Sequence, residues 1–244
     1  EATEASEEIG LPLLLGTEIT AVDEDVSVHM LAFQYDPSNE HISSMFANTR
    51  AARLRRTKRM VERLSQDFPI TWDDVLAQVK EGERTTIGRP HIADALVAAG
   101  VYETRSDAFA DAVSAKSKYY IPTPSPSTHE VIAAVKGAGG VVVAAHAGDP
   151  QRNRRLPSDE QLDAMIADGL DGLEVWHRGN PPEQRERLLT IAARQDLLVT
   201  GGSDWHGKGK PNGLGENLTD DDTVREILHR GVDLSDHVGS SHAA

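Results

Sequence analysis

Apolar residues along the chain fall into two kinds of run. Short, nearly continuous runs predict buried strands: Leu11 to Thr20, Val26 to Phe33, Val141 to His146, Gly172 to His177 and Leu197 to Thr200. Stretches in which apolar residues return every three or four positions predict helices. The longest, from about Ser38 to Phe68, places Ile42, Met45, Phe46, Met60 and Leu64 on one face. A helix is predicted from Thr71, an N-cap with Asp73 and Asp74 in the first turn, to about Gly82. Pro90 suits the first turn of another. Further helices are predicted over Ser106 to Ala115, His129 to Lys136, Ser158 to Asp168, Pro182 to Arg194 and onward from Asp220. The opening residues, Glu1 to Ile9, read as the latter half of a helix stopped at Gly10.

The order of these elements predicts the organisation. From residue 127 to 231 strands and helices alternate, as in a parallel α/β layout, more barrel than open sheet. Residues 40–118 are almost wholly helical and read as an insertion between two strand-bearing parts, 1–39 and 119–235. Residues 236–244 form a polar tail, and no internal sequence repeat is present.

Composition narrows the chemistry. The formal charge of −14 argues against an extended nucleic-acid or membrane surface. The chain has no cysteine, which excludes disulfides, thiolate metal sites and cysteine nucleophiles. Any metal must be held by His, Asp and Glu. No apolar run approaches a membrane span and no signal peptide is apparent, so a soluble, cytoplasmic protein is expected.

Several strands carry a polar group where an apolar one is expected. Glu18 ends the first run, and an ionised carboxylate there is unfavourable unless paired or metal-bound. His29 lies inside the second run, and His146 and His177 close the third and fourth. After the last strand, Gly201-Gly-Ser-Asp-Trp-His206 presents Asp204 and His206 two residues apart. Ligands of parallel α/β folds collect at the C-terminal ends of strands. Glu18, His29, His146, Asp204 and His206 are therefore candidate metal ligands, a donor set suited to Mn, Fe or Zn. A second group is cationic. Arg53 and Arg56 project near the apolar face of the long helix, and Arg89 and His91 stand at a helix N-terminus, where an anion is favoured. All four are candidates for holding a phosphate.

The motifs Gly16-Thr-Glu18-Ile, His29, Gly88-Arg-Pro-His-Ile92, Ala145-His146, Leu173-Glu-Val-Trp-His177 and Gly202-Ser-Asp-Trp-His-Gly207 resemble, in order and spacing, the PHP (polymerase and histidinol phosphatase) family, in its nucleotide phosphatase and exoribonuclease branch. The resemblance implies a distorted (β/α)7 barrel with a trinuclear metal site. Glu18 would bridge two metals, one completed by His29 and His146, while Asp204 would serve the second and His206 the third. Arg89 and His91, with Arg53 and Arg56, would hold the substrate phosphate. His206 and His177 are the candidate catalytic imidazoles, His177 as a substrate contact or a support for the ligands.

The implied reaction is hydrolysis of a small phosphomonoester by hydroxide bridging the metals. The substrates would be a nucleoside 3′,5′-bisphosphate, AMP or short RNA 5′ ends. The family's opening His-x-His, the following Asp and a further His have no counterpart here. The chain alone is therefore expected to bind metal poorly and to be inactive, with an upstream segment of the same protein supplying the rest. Two other readings stand beside this one: an amidohydrolase-like metal hydrolase, and a non-catalytic, degenerate metal-binding module.

Overall fold

The computed structural model describes residues 2–79, 87–152, 155–205 and 212–234. In chain order its elements are α1 (Ala2–Ile9), β1 (Gly16–Asp23), β2 (Val26–Phe33), α2 (Glu40–Leu64), α3 (Trp72–Leu76), α4 (Arg89–Ala98), α5 (Arg105–Ala110), α6 (Thr128–Gly137), β3 (Val141–Ala145), α7 (Asp159–Asp168), β4 (Gly172–Trp176), α8 (Pro182–Gln195), β5 (Leu198–Gly201) and α9 (Asp221–Arg230). The predicted polar tail and Gly82 lie outside the described residues, but the helix predicted to run from Thr71 to about Gly82 already stops at Leu76, capped by Ala77 and followed by turns. The chain divides into two compact units, Glu1–Ser43 with Pro126–Ala244, and Ser44–Ser125.

The first unit is a mixed α/β layer. Among the described residues its strands form one sheet in the order β1-β2-β3-β4-β5. The β1–β2 and β2–β3 pairings are antiparallel, whereas β3–β4 and β4–β5 are parallel. The parallel part is the part in which strands and helices alternate in sequence. All five residues of β3 are buried, as expected for a central apolar strand with neighbours on both edges. α6 packs against it, begun by a capping box in which the Ser127 side chain accepts from the Glu130 amide and Glu130 returns the contact. α7 starts on the same device, Ser158 with Gln161, and ends at Gly169 in the left-handed region.

β1 differs from the sequence expectation. It begins at Gly16 rather than Leu11, and Leu11 and Leu13 are exposed. β1 pairs only with β2 in the described sheet, and that pairing starts at Gly16 with Phe33. An apolar run without a neighbouring strand to satisfy its backbone does not become a strand. Glu18 consequently sits near the start of β1, not at its end.

The second unit is helical. Its core gathers Met60, Leu64, Ile70, Val75, Ile92 and Leu96 around the C-terminal part of α2 and the shorter helices. α3 and α5 are each opened by a Thr–Asp capping box, Thr71 with Asp74 and Thr104 with Asp107. No described helix is long and apolar enough to cross a membrane.

Candidate metal centre

The β1–β2 hairpin brings the first two donors together. Thr20 lies opposite His29 in the antiparallel register, and Glu18 is two residues away on the same face. A long side chain spans that diagonal. The Glu18 carboxylate reaches the His29 imidazole, with Oε1 2.5 Å from Nδ1.

The third donor comes from the end of β3. Ala145 is the register partner of His29, so simple alternation would turn the next side chain, His146, to the opposite face. Instead His146 adopts a φ of 33°, in the left-handed region. Its ring then lies 5.2 Å from that of His29, and its Nε2 is 3.7 Å from Glu18 Oε1. One ligand atom from each of Glu18, His29 and His146 lies within 4.8 Å of the others.

The arrangement fits a divalent ion. It offers two imidazoles and a carboxylate, donors that suit Mn, Fe and Zn. His146 Nε2 is buried with no hydrogen-bond partner among the described residues. The Glu18 carboxyl is held well below the ordinary carboxylate range, by His146 first and then His29, so it stands ready as an anion. A cavity of about 200 Å³ opens over the cluster, lined by His29, His146, Ala145, Ala147, Arg152 and Pro157.

The exits of β4 and β5 supply the other side of the site. Asp204 follows β5 with a φ of 47°, and its carboxylate is paired with the Arg152 guanidinium. Arg152 also lies 3.7 Å from Asp149. His177, just beyond β4, is 2 % exposed, and its ring lies 5.1 Å from that of His146. Its Nε2 stands 4.0 Å from Asp204 Oδ2, and burial, then His146, lowers its pKa. Glu174, buried within β4, accepts the His146 backbone N–H at 2.9 Å. Desolvation pushes the Glu174 carboxyl above its ordinary value. Asn180 ties this exit together, its amide donating to the carbonyls of Glu174 and Val175 at 3.0 Å each.

Arg152, Glu174, Asp149 and Asn180 were not among the residues singled out from sequence. Glu174 had a legible signal, an acid inside the run Gly172-Leu-Glu-Val-Trp176, of the same kind that marked Glu18. Arg152 had none, for it lies in a polar loop beside Arg154 and Arg155 with no periodicity to aim it.

The other predicted residues fall elsewhere. His206 lies outside the described residues. Arg53, Arg56, Arg89 and His91 belong to the helical unit. Arg56 turns inward and is buried, its Nε donating to the Ile121 carbonyl. Arg53, expected to point inward as well, is exposed; three residues make about 300° of helical turn, which carries it off the buried edge. Arg56 and Arg89 both lie against the Tyr120 ring, at 5.1 and 5.6 Å from its centroid. His91 Nδ1 accepts from the Gly88 amide at 3.2 Å, capping its own helix.

Comparison with known proteins agrees with this chemistry. No protein-family model matches the chain. A crystal structure assigned as a metal-dependent phosphoesterase from Bifidobacterium adolescentis is similar with 99% identity and a TM-score of 0.86, covering 96% of this chain and 82% of that one. A 5′-3′ exoribonuclease of Haemophilus influenzae is 27% identical over 235 residues, 94% of this chain and 82% of the relative. A 3′,5′-nucleoside bisphosphate phosphatase of Chromobacterium violaceum is 26% identical over 217 residues, 86% of this chain and 73% of the relative. The chain is an enzyme and belongs to the metal-dependent phosphoesterases.

Proposed function

We infer that the protein hydrolyses small phosphomonoesters of the nucleotide class, a nucleoside 3′,5′-bisphosphate or a mononucleotide, at the Glu18–His29–His146 cluster. The observation that carries this reading is the cluster of those three donors beside a cavity that His29 and His146 line together with a guanidinium, Arg152. Glu18, His29 and His146 would hold one metal ion, with Asp204 serving a second. Metal ions bound there supply Lewis acidity, which acidifies coordinated water and screens phosphoryl charge. The chain's own residues supply the rest. Arg152 offers a planar pair of donors suited to phosphoryl oxygens. Buried Glu174 holds the His146 backbone in the turned conformation that brings its ring to the cluster. His206 is proposed from sequence as a further ligand and catalytic imidazole. Arg56, Arg89 and His91 are proposed as a phosphate-holding group of the helical unit, with Arg53 at its exposed edge.

The finer family reading is the PHP one, with a barrel of seven β/α units and a trinuclear site; the six motifs in order support it. The relatives include a bisphosphate phosphatase and an exoribonuclease, and the compact cavity beside the cluster, with a net charge of −14, favours the small substrate. The test is phosphate release with Mn²⁺ from adenosine 3′,5′-bisphosphate, from AMP and from a short 5′-phosphorylated RNA. Release from a nucleotide, abolished by Asp204→Ala and by His146→Ala, is expected. Cleavage of the RNA alone would assign the exoribonuclease activity instead, and no release from any of the three by metal-loaded protein would remove the reading.

A further inference from the structure

We propose that His177 is a positioning residue, a hydrogen-bond donor of fixed tautomer that steadies the Asp204 carboxylate and cannot itself ligate a metal. The proposal rests on the reading of Asp204 as part of the metal centre. Its basis is the pedestal on which the ring stands. Gly179 N–H points at His177 Nδ1 at 3.1 Å. A backbone N–H can only donate, so Nδ1 must present its lone pair and the ring proton must sit on Nε2.

The pedestal is held from several sides. The Asn180 backbone N–H donates to the His177 carbonyl at 3.1 Å, and the Arg185 guanidinium donates to the same carbonyl at 2.8 Å. Gly179 packs directly on the Asp149 carboxylate, where a Cβ would collide with it. The ring therefore has little freedom to flip.

The protonated nitrogen faces the site. His177 Nε2 is buried without a hydrogen-bond partner among the described residues, 4.0 Å from Asp204 Oδ2. A carboxylate movement of about 1 Å would close that gap to a normal hydrogen bond. The adjacent His146 shares the buried Nε2 but stands within 3.7 Å of Glu18. Two neighbouring imidazoles thus take opposite parts: His146 ligates, while His177 has one nitrogen occupied and the other carrying a proton. Outer groups of this kind set the orientation of ligating carboxylates, and losing one typically weakens metal binding by about 10–100-fold.

The test is long-range ¹H–¹⁵N NMR of histidine-labelled protein, metal-free and loaded with Zn²⁺, together with Mn²⁺ affinities of variants. In both states His177 is expected as the Nε2–H tautomer. A proton on Nδ1, or a metal-shifted Nε2, would overturn the proposal. His177→Phe keeps the shape without the donor and should bind Mn²⁺ at least tenfold more weakly. His177→Gln, which restores an N–H near the same point, should stay within about threefold of wild type. Equal affinities for wild type and His177→Phe would also overturn it. Should His177→Phe not fold, the tautomer and the His177→Gln affinity still decide. Asp204→Asn separates the two levels: unchanged metal affinity there removes the reading of Asp204 as part of the metal centre, whereas weakened affinity there with an intact His177→Phe rejects only the role of His177.

Discussion

Gly202→Ala is a one-carbon perturbation aimed at the buried contact between the β4 and β5 exits. A Cβ at residue 202 would stand about 1 Å inside ordinary contact distance of Glu174 Oε1. A carboxylate tip is normally free to yield, but this one is buried and its other oxygen accepts the His146 N–H at 2.9 Å. Moving it by about 1 Å stretches that bond past the useful range. Stranding a buried backbone donor costs about 1–3 kcal/mol, and residual overpacking adds a comparable amount. A loss of about 2–4 kcal/mol lowers Tm by roughly 4–16 °C for a chain of this size.

The second consequence of Gly202→Ala is functional. His146 loses the acceptor that holds its backbone at a φ of 33°, so metal affinity should fall by about tenfold or more. Calorimetric melting and Mn²⁺ titration read both effects. Gly137→Ala is the control, because nothing lies within 4 Å of a Cβ there. It should melt at or slightly above wild type and bind metal unchanged. A Gly202→Ala protein with wild-type Tm and wild-type Mn²⁺ affinity would refute the argument that Glu174 is locked between these two turns.

Two further predictions concern the phenols of the helical unit and the turn beneath His177. Burial and a hydrogen bond to Asp111 push the Tyr102 phenol up to about 12, and Asp67 raises Tyr119. A raised pKa means the Tyr102 contribution to stability is complete below pH 10 and is lost as pH rises through about 12. Absorbance titration of tyrosinate should show late-titrating phenols, and Tyr102→Phe should remove one of them and flatten the alkaline stability loss; a Tyr102 that ionises with the exposed phenols would contradict this. Gly179→Ala should displace Asp149 and with it the His177 ring, weakening Mn²⁺ binding by titration while the helical unit, followed through Trp72 fluorescence, keeps its signal; undiminished metal binding would show that the pedestal is not rigid.

Much of the fold follows from local pattern, and its exceptions have physical causes. The β3 run is buried on both sides and could hardly be anything but a central strand. The Glu18–His29 pairing was foreshadowed by two polar groups in consecutive apolar strands, for which an antiparallel hairpin is the simplest connection. His146 was legible as a residue at a strand end, but its left-handed turn was not, since φ is set by Glu174 from another strand. The run from Leu11 to Leu15 looked like strand because hydrophobicity carries no information about whether a partner backbone is present. The basic block on α2 shows the limit of helical projection: it separates Arg56 from the solvent face, yet Arg53, only about 60° away, is exposed.

The central claim is that Glu18, His29 and His146 together hold a catalytic metal ion, and Mn²⁺ binding by isothermal titration tests it most directly. Wild-type protein is compared with Glu18→Gln and His146→Ala, each checked for retained fold by circular dichroism. The account predicts a saturable binding step at this cluster in the wild type and its loss in both variants; with the upstream ligands that the PHP resemblance implies present, phosphate release is lost in parallel. Wild-type metal affinity in either folded variant would contradict it.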